Sequence, residues 1–166
     1  MVRVDIETIV MAAGPVPSLI VLRERCSKSD SPAPLRSLSI QTGSFEAAAI
    51  SRGIDSGRAE RPIAHDLLLD TLDALDAKLE RIEIVRAEPP VFYATVVVLA
   101  GGSEHGIDAR PSDAIALAVR SNAPMFVEDD IMNRLGTASP VAEEIDDEQE
   151  FEKFDEFVHT LSPDDF

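Results

Sequence analysis

The 166-residue chain has a single cysteine, Cys26, and no tryptophan. One thiol excludes an intrachain disulfide and any cysteine-based zinc site within one chain. No apolar run approaches the roughly 20 residues needed to cross a bilayer. The opening Met1-Val2-Arg3-Val4-Asp5-Ile6-Glu7 alternates apolar and charged residues and lacks the apolar core of a signal peptide. These absences predict a cytoplasmic protein with no membrane partner. Aromatic residues make up only 5% and sit mostly towards the C-terminus, so no aromatic platform for stacking bases is expected. The common motifs of catalysis are missing too. There is no phosphate-binding Gly-rich loop with Lys and Ser/Thr, no Gly-x-Ser-x-Gly elbow and no His-Glu-x-x-His helix.

Basic residues are scarce as well. Asp and Glu number 31 against 15 Lys and Arg, for a net charge of −16, and the only lysines are Lys28, Lys78 and Lys153. An acidic, lysine-poor, alanine-rich chain fits a halophilic setting, where carboxylates keep the surface hydrated and salt screens their mutual repulsion. The plainer alternative is an acidic protein with a charged tail. The same balance opposes broad electrostatic attraction to nucleic acid, which normally comes from Lys and Arg on phosphates.

What is present is enough for one domain with a real core, since 45% of the chain is hydrophobic. Alternation over residues 2–12, the apolar run in Ser18–Glu24 and the short segment Leu35–Thr42 predict three strands, with Lys28–Pro34 a polar loop. Ser44 is placed to cap a helix to about Ile54, with Glu46 in its first turn. Ala64–Ala77 carries a helical stripe of Leu67, Leu68, Leu72 and Leu75. Leu79–Glu88 and Val91–Ala100 read as a hairpin around Pro89-Pro90. Gly101-Gly102 turns into a strand at Gly106–Ala109, Pro111 opens a helix to about Ser121, and Pro124–Glu128 is a last strand.

An internal similarity organises these elements. Ile40–Ile50 aligns without gaps on Ile107–Leu117, apolar on apolar, with Glu46 falling on Asp113. The predicted fold class is α+β: two intertwined strand-strand-strand-helix repeats, a connecting helix and a C-terminal helical tail. The domain spans 2–135. Residues 136–166 form an acidic linker and an amphipathic helix, whose Phe151, Phe154, Phe157, Val158 and Leu161 recur at helical spacing. An acidic polar face suits docking on the domain or a neighbouring subunit better than a membrane surface.

Two helix starts gather the chemistry. Arg61-Pro62-Ile63-Ala64-His65-Asp66 sets a guanidinium, an imidazole and a carboxylate together, with His65 suited to general-base work or metal ligation near pH 7. Asp108-Ala109-Arg110-Pro111-Ser112-Asp113 repeats that grammar, and its two carboxylates are the donor type that holds Mg²⁺. Caps and ion pairs explain either segment equally well: Asp66 on its helix N-terminus with Arg61 paired, and an Asp–Arg pair at the second.

In order and spacing, Gly43-Ser44-Phe45-Glu46-Ala47-x-Ala49-Ile50, Arg61-Pro62-x-x-His65-Asp66-Leu67 and Asp108-Ala109-Arg110-Pro111-Ser112-Asp113-Ala114-Ile115-Ala116-Leu117-Ala118 resemble the bifunctional nuclease family. The resemblance covers roughly residues 2–135, and the tail motif Phe-x-x-Phe-Val with Ser162-Pro163-Asp164-Asp165-Phe166 resembles the family's C-terminal end. Gln41-Thr42 replaces the usual apolar pair, and Ala64 replaces a hydroxyl residue. The resemblance implies an α+β fold of two intertwined repeats, homo-oligomers, and nuclease activity on DNA and RNA. It supplies no assignment of catalytic residues.

Two functions follow from the residues. The first is metal-assisted phosphodiester hydrolysis. Asp108 and Asp113, with Glu46, would hold Mg²⁺ or Mn²⁺; His65 and Asp66 would handle protons; Arg61, Arg110 and Ser112 would contact substrate. The second is a non-catalytic oligomeric module in which the same Asp/Arg/His network is structural or binds a small anion.

Overall fold

The computed structural model describes residues 1–14, 16–25, 35–55 and 61–138. The polar loop expected at 28–34 and the acidic linker and amphipathic helix from residue 139 onward lie outside the described residues. The elements are β1 (Val2–Val10), β2 (Ser18–Glu24), β3 (Arg36–Thr42), α1 (Ser44–Ile54), α2 (Ala64–Ala74), β4 (Ala77–Glu88), β5 (Val91–Ala100), β6 (Ser103–Ala109), α3 (Pro111–Ser121), β7 (Met125–Val127), α4 (Asp129–Leu135) and β8 (Thr137–Ala138). The fold therefore mixes α and β, with three strands and a helix on each side of α2 in chain order.

All eight strands form one sheet in the order β6-β5-β4-β7-β1-β2-β3-β8. Neighbours are antiparallel except β4 and β7, which run parallel with Ile82 opposite Met125. The β5–β6 hairpin turns on Gly101 and Gly102, both at positive φ (58° and 79°). A two-residue turn with that backbone matches the twist of the strands, and glycine adopts it without a Cβ clash. Strand β6 is the sheet edge, and every residue in it but Ala109 is exposed.

The core lies between the sheet and α1 and α3. Val4, Ile20, Leu22, Leu38, Ile82, Ile84, Ala94 and Val127 bury from the strands, and Ala47 and Ile50 from α1. Helix α3 is central: Ala114, Ile115, Ala116, Leu117 and Ala118 are buried in succession. Three alanines along its middle, Ala114, Ala116 and Ala118, let neighbours approach closely. At Gly53 of α1 an added Cβ would lie 2.6 Å from the Val119 side chain and 2.7 Å from the Arg120 guanidinium. That absence of a side chain is what brings α1 and α3 together.

The structure differs from expectation at several elements, and β6 begins at Ser103 rather than Gly106. Gly43, not Ser44, is the N-cap of α1, and no side chain caps it. Helix α2 ends at Ala74 and buries none of its residues; Leu67, Leu68 and Leu75 of the expected stripe are exposed, and Leu69 and Leu72 are half-buried inward. Strand β4 therefore starts earlier, at Ala77. The short α4 and β8 went unforeseen, being too brief to show a period. Among the described residues no helix is long and apolar enough to cross a membrane.

Candidate functional site

Strands β3 and β6 each deliver the chain into a helix, α1 and α3, with an acidic residue in the first turn, Glu46 and Asp113. A carboxylate there complements the positive end of the helix dipole. Arg110, the N-cap residue of α3, joins the two. Its Nε and Nη2 donate to Asp113 Oδ2 and Oδ1 at 2.7 and 3.1 Å, and its Nη1 donates to Glu46 Oε1 at 3.2 Å. The two positions superposed by the internal alignment thus share one guanidinium. Glu46 folds back over Gly43, where an added Cβ would lie 2.3 Å from Glu46 Oε2.

His65, in the first turn of α2, closes the cluster: its Nε2 lies 3.3 Å from Asp113 Oδ1. Its side chain is 17% exposed against 34% for Asp113 and 65% for Arg110. His65 Nδ1 is buried and has no hydrogen-bond partner among the described residues. With an N–H at Nε2 donated to Asp113, the remaining lone pair points into the protein rather than towards solvent. Burial opposes ionisation of Asp113, but the hydrogen bonds from Arg110 and His65 outweigh it and hold the carboxyl below its ordinary value. Hydrogen bonding to Asp113 in turn raises Arg110 above the ordinary arginine value.

Asp66 sits beside His65 in sequence but faces a different partner. Its Oδ2 accepts the Ile63 backbone N–H at 3.0 Å, capping α2, and its Oδ1 accepts from Arg120 Nε at 3.0 Å. Arg120 also donates to the carbonyls of Ala116 and Ala49 at 2.7 and 2.8 Å, so one guanidinium ties α1, α2 and α3. Both side chains are withdrawn from water, Arg120 at 9% exposure and Asp66 at 13%. Arg120 was absent from the sequence-level candidates because nothing in a helical Val-Arg-Ser marks a residue whose partners lie on two other helices.

The remaining candidates are scattered. Asp108 is exposed on edge strand β6, opposite Thr95, and Arg61 is exposed before α2; neither side chain has a hydrogen-bond or ion-pair partner among the described residues. Ser112 is buried, at 9% exposure. Among the described residues no three His, Cys, Asp or Glu side chains gather as a metal-binding group. A cavity of about 860 Å³ lies behind the cluster between α2 and the C-terminal halves of α1 and α3, walled by Asp66, Asp70, Lys78 and Arg120; Glu46, His65 and Asp113 do not line it.

The geometry can therefore do two things. A half-exposed Glu46–Arg110–Asp113–His65 chain presents an exchangeable guanidinium at the surface, and a part-buried Asp66–Arg120 pair holds the helices that carry it. Two proteins of Mycobacterium tuberculosis, "Uncharacterized protein MT1877" of strain CDC 1551 / Oshkosh and "Uncharacterized protein Rv1829" of strain ATCC 25618 / H37Rv, are each 36% identical over 138 residues, covering 79% of this chain and 81% of the relative. Residues 28–140, which include the whole cluster, match the bifunctional nuclease domain, and the chain belongs to that family.

Proposed function

We propose that the protein hydrolyses phosphodiester bonds of DNA and RNA with the help of a divalent metal, at the surface formed by the starts of α1, α2 and α3. The observation that carries this reading is Arg110. It is 65% exposed, bridges two carboxylates and stands at a helix N-terminus, where an anion is favoured. A substrate phosphate is a natural replacement partner for such a guanidinium. Arg61, exposed and without a partner among the described residues, would take a second phosphate oxygen.

Asp108 and Asp113 have the oxygen donors that suit Mg²⁺ or Mn²⁺. Asp108 has no side-chain partner among the described residues, whereas Asp113 is engaged by Arg110 through both oxygens and by His65 through Oδ1, so its Oδ2 becomes available when Arg110 turns to a phosphate. Bound there, the metal would neutralise phosphoryl charge and activate a water. His65 acts in this scheme by orienting Asp113, since its other nitrogen faces the interior. Asp66 acts as the structural anchor of α2. The exposed Leu67, Leu68 and Leu75 on and beside α2, a helix that buries none of its own residues, support a homo-oligomer that covers them. The twice-occurring three-strand-and-helix order supports two halves related by duplication.

A second reading rests on a specific observation, the bidentate Arg110–Asp113 pair. A network satisfied within itself can fix structure without performing chemistry. Purified protein, freed of contaminating nuclease, separates the two. Cleavage of single- and double-stranded DNA and of RNA with Mn²⁺ or Mg²⁺, stopped by a chelator and abolished in Asp108→Ala and Asp113→Ala, is the expected result. Wild-type cleavage that both variants retain would place the active site elsewhere, and no metal-dependent cleavage at all leaves the structural reading.

A further inference from the structure

Phe45 is 87% exposed, the highest value of any large apolar side chain among the described residues. It occupies the first turn of α1, immediately before Glu46, whose carboxylate accepts from Arg110. The 3.2 Å bond from Arg110 to Glu46 joins the starts of α1 and α3, and Gly53 lies against Val119 and Arg120 near their ends, so the two helices run side by side. A flat apolar ring thus stands out from the same helix-start surface that carries the exposed guanidinium. None of the other large apolar residues exposed to this degree, such as Leu75 just beyond α2, has an aromatic face.

We propose that Phe45 is a stacking platform for an unpaired base of single-stranded nucleic acid whose phosphate lies on Arg110. The inference rests on the phosphodiesterase reading and adds to it the substrate class. In a duplex both faces of a base are covered by its neighbours, so an aromatic ring selects strands whose bases are free to turn out. Stacking also needs no positive charge, which suits a chain of net charge −16. Composition alone hides this, because one well-placed ring serves where a count of aromatics is low.

The natural chain contains no tryptophan, so Phe45→Trp supplies the sole tryptophan reporter at the ring itself. The full chain is titrated with a short fluorescein-labelled oligothymidine and with a duplex of equal length, in chelator to prevent metal-assisted cleavage. The expected result is that Phe45→Ala and Phe45→Leu weaken single-strand binding about tenfold, the order of one lost base stack. Phe45→Trp keeps wild-type affinity, its emission is quenched at saturation, and duplex binding does not change. The proposal is overturned if Phe45→Ala binds the oligothymidine like wild type, or if the tryptophan emission is unmoved while anisotropy shows full binding. It is also overturned if Phe45→Ala shifts the sedimentation coefficient with oligonucleotide affinity unchanged, which makes the ring a subunit contact. Wild-type protein that neither binds nor cuts any nucleic acid removes the phosphodiesterase reading and this one with it. Wild-type cleavage that Phe45→Ala matches on single strands removes this one alone.

Discussion

Arg110 holds two carboxylates that would otherwise repel, and its removal has a signed consequence. In the folded chain burial pushes Asp113 towards protonation, while the bonds from Arg110 and His65 overcome that and lower its value. A carboxyl lowered on folding contributes stability that is complete above the unfolded value, 3.8 for aspartate, and is lost as pH falls through the lower folded value. Arg110→Ala leaves burial acting with only His65 against it. The Asp113 titration, followed by carboxyl ¹³C NMR, is therefore expected to move upward in Arg110→Ala, and the loss of stability on acidification to begin at higher pH. An unchanged Asp113 titration would mean that Arg110 is not its partner in solution. A second test at this scale concerns Gly43. Its Gly43→Ala variant pushes the Glu46 carboxylate aside rather than crowding backbone, so it is expected to fold like wild type, within about 0.5 kcal/mol, and to lose the Glu46–Arg110 contact. Loss of a folded spectrum would show the clash to be with something less yielding than a side-chain end.

Among the elements, α2 depends most on a single pair. It buries no residue, yet Asp66 caps it and reaches Arg120, which is bonded to carbonyls of α1 and α3. Both side chains are part-buried, so losing one partner costs less than in a fully buried pair, about 1–3 kcal/mol for a charged hydrogen bond. Arg120→Ala and Asp66→Ala are each expected to destabilise the fold on that order in urea unfolding, with the double variant losing much less than the sum. Additive losses would show that the two do not interact. An Asp66→Asn protein that keeps its stability but loses cleavage would return Asp66 to the chemistry. The same helix shows how far the sequence could be read. Residues 44–54 and 111–121 match α1 and α3 because an acidic first turn or an N-terminal proline marks the start and an alanine-rich apolar face the body. The leucines of α2 read just as clearly as a stripe, but a stripe says only that an apolar face exists and not what covers it. At the site, the segments holding Glu46, His65 and Asp113 were legible from order and spacing. The division of His65 and Asp66 between different partners was not, because it depends on α2 crossing α3 so that neighbouring residues meet positions seven apart, Asp113 and Arg120.

For the whole molecule the governing quantity is the net charge of −16. Self-repulsion on that scale opposes compaction and is relieved as the Debye length falls from about 10 Å at 0.1 M salt to about 3 Å at 1 M. The melting temperature is expected to rise through this range in KCl, and a flat or falling profile would remove the halophilic reading. The same field acts on a polyanion. An ordinary single-strand binder loses affinity with salt in proportion to the phosphates it neutralises, with a logarithmic slope of about −0.7 per contact. Here two arginines, Arg61 and Arg110, would set that loss at about −1.4, while screening of the repulsion between an acidic protein and an acidic ligand works in the opposite direction. Oligonucleotide affinity measured between about 0.01 and 0.3 M salt should therefore show a slope shallower than −1.4, rising at the low end where the Debye length of about 30 Å lets the whole surface be felt. A slope of about −5 or steeper would require many more cationic contacts than this surface offers, and would place the nucleic acid on a face other than the starts of α1 and α3.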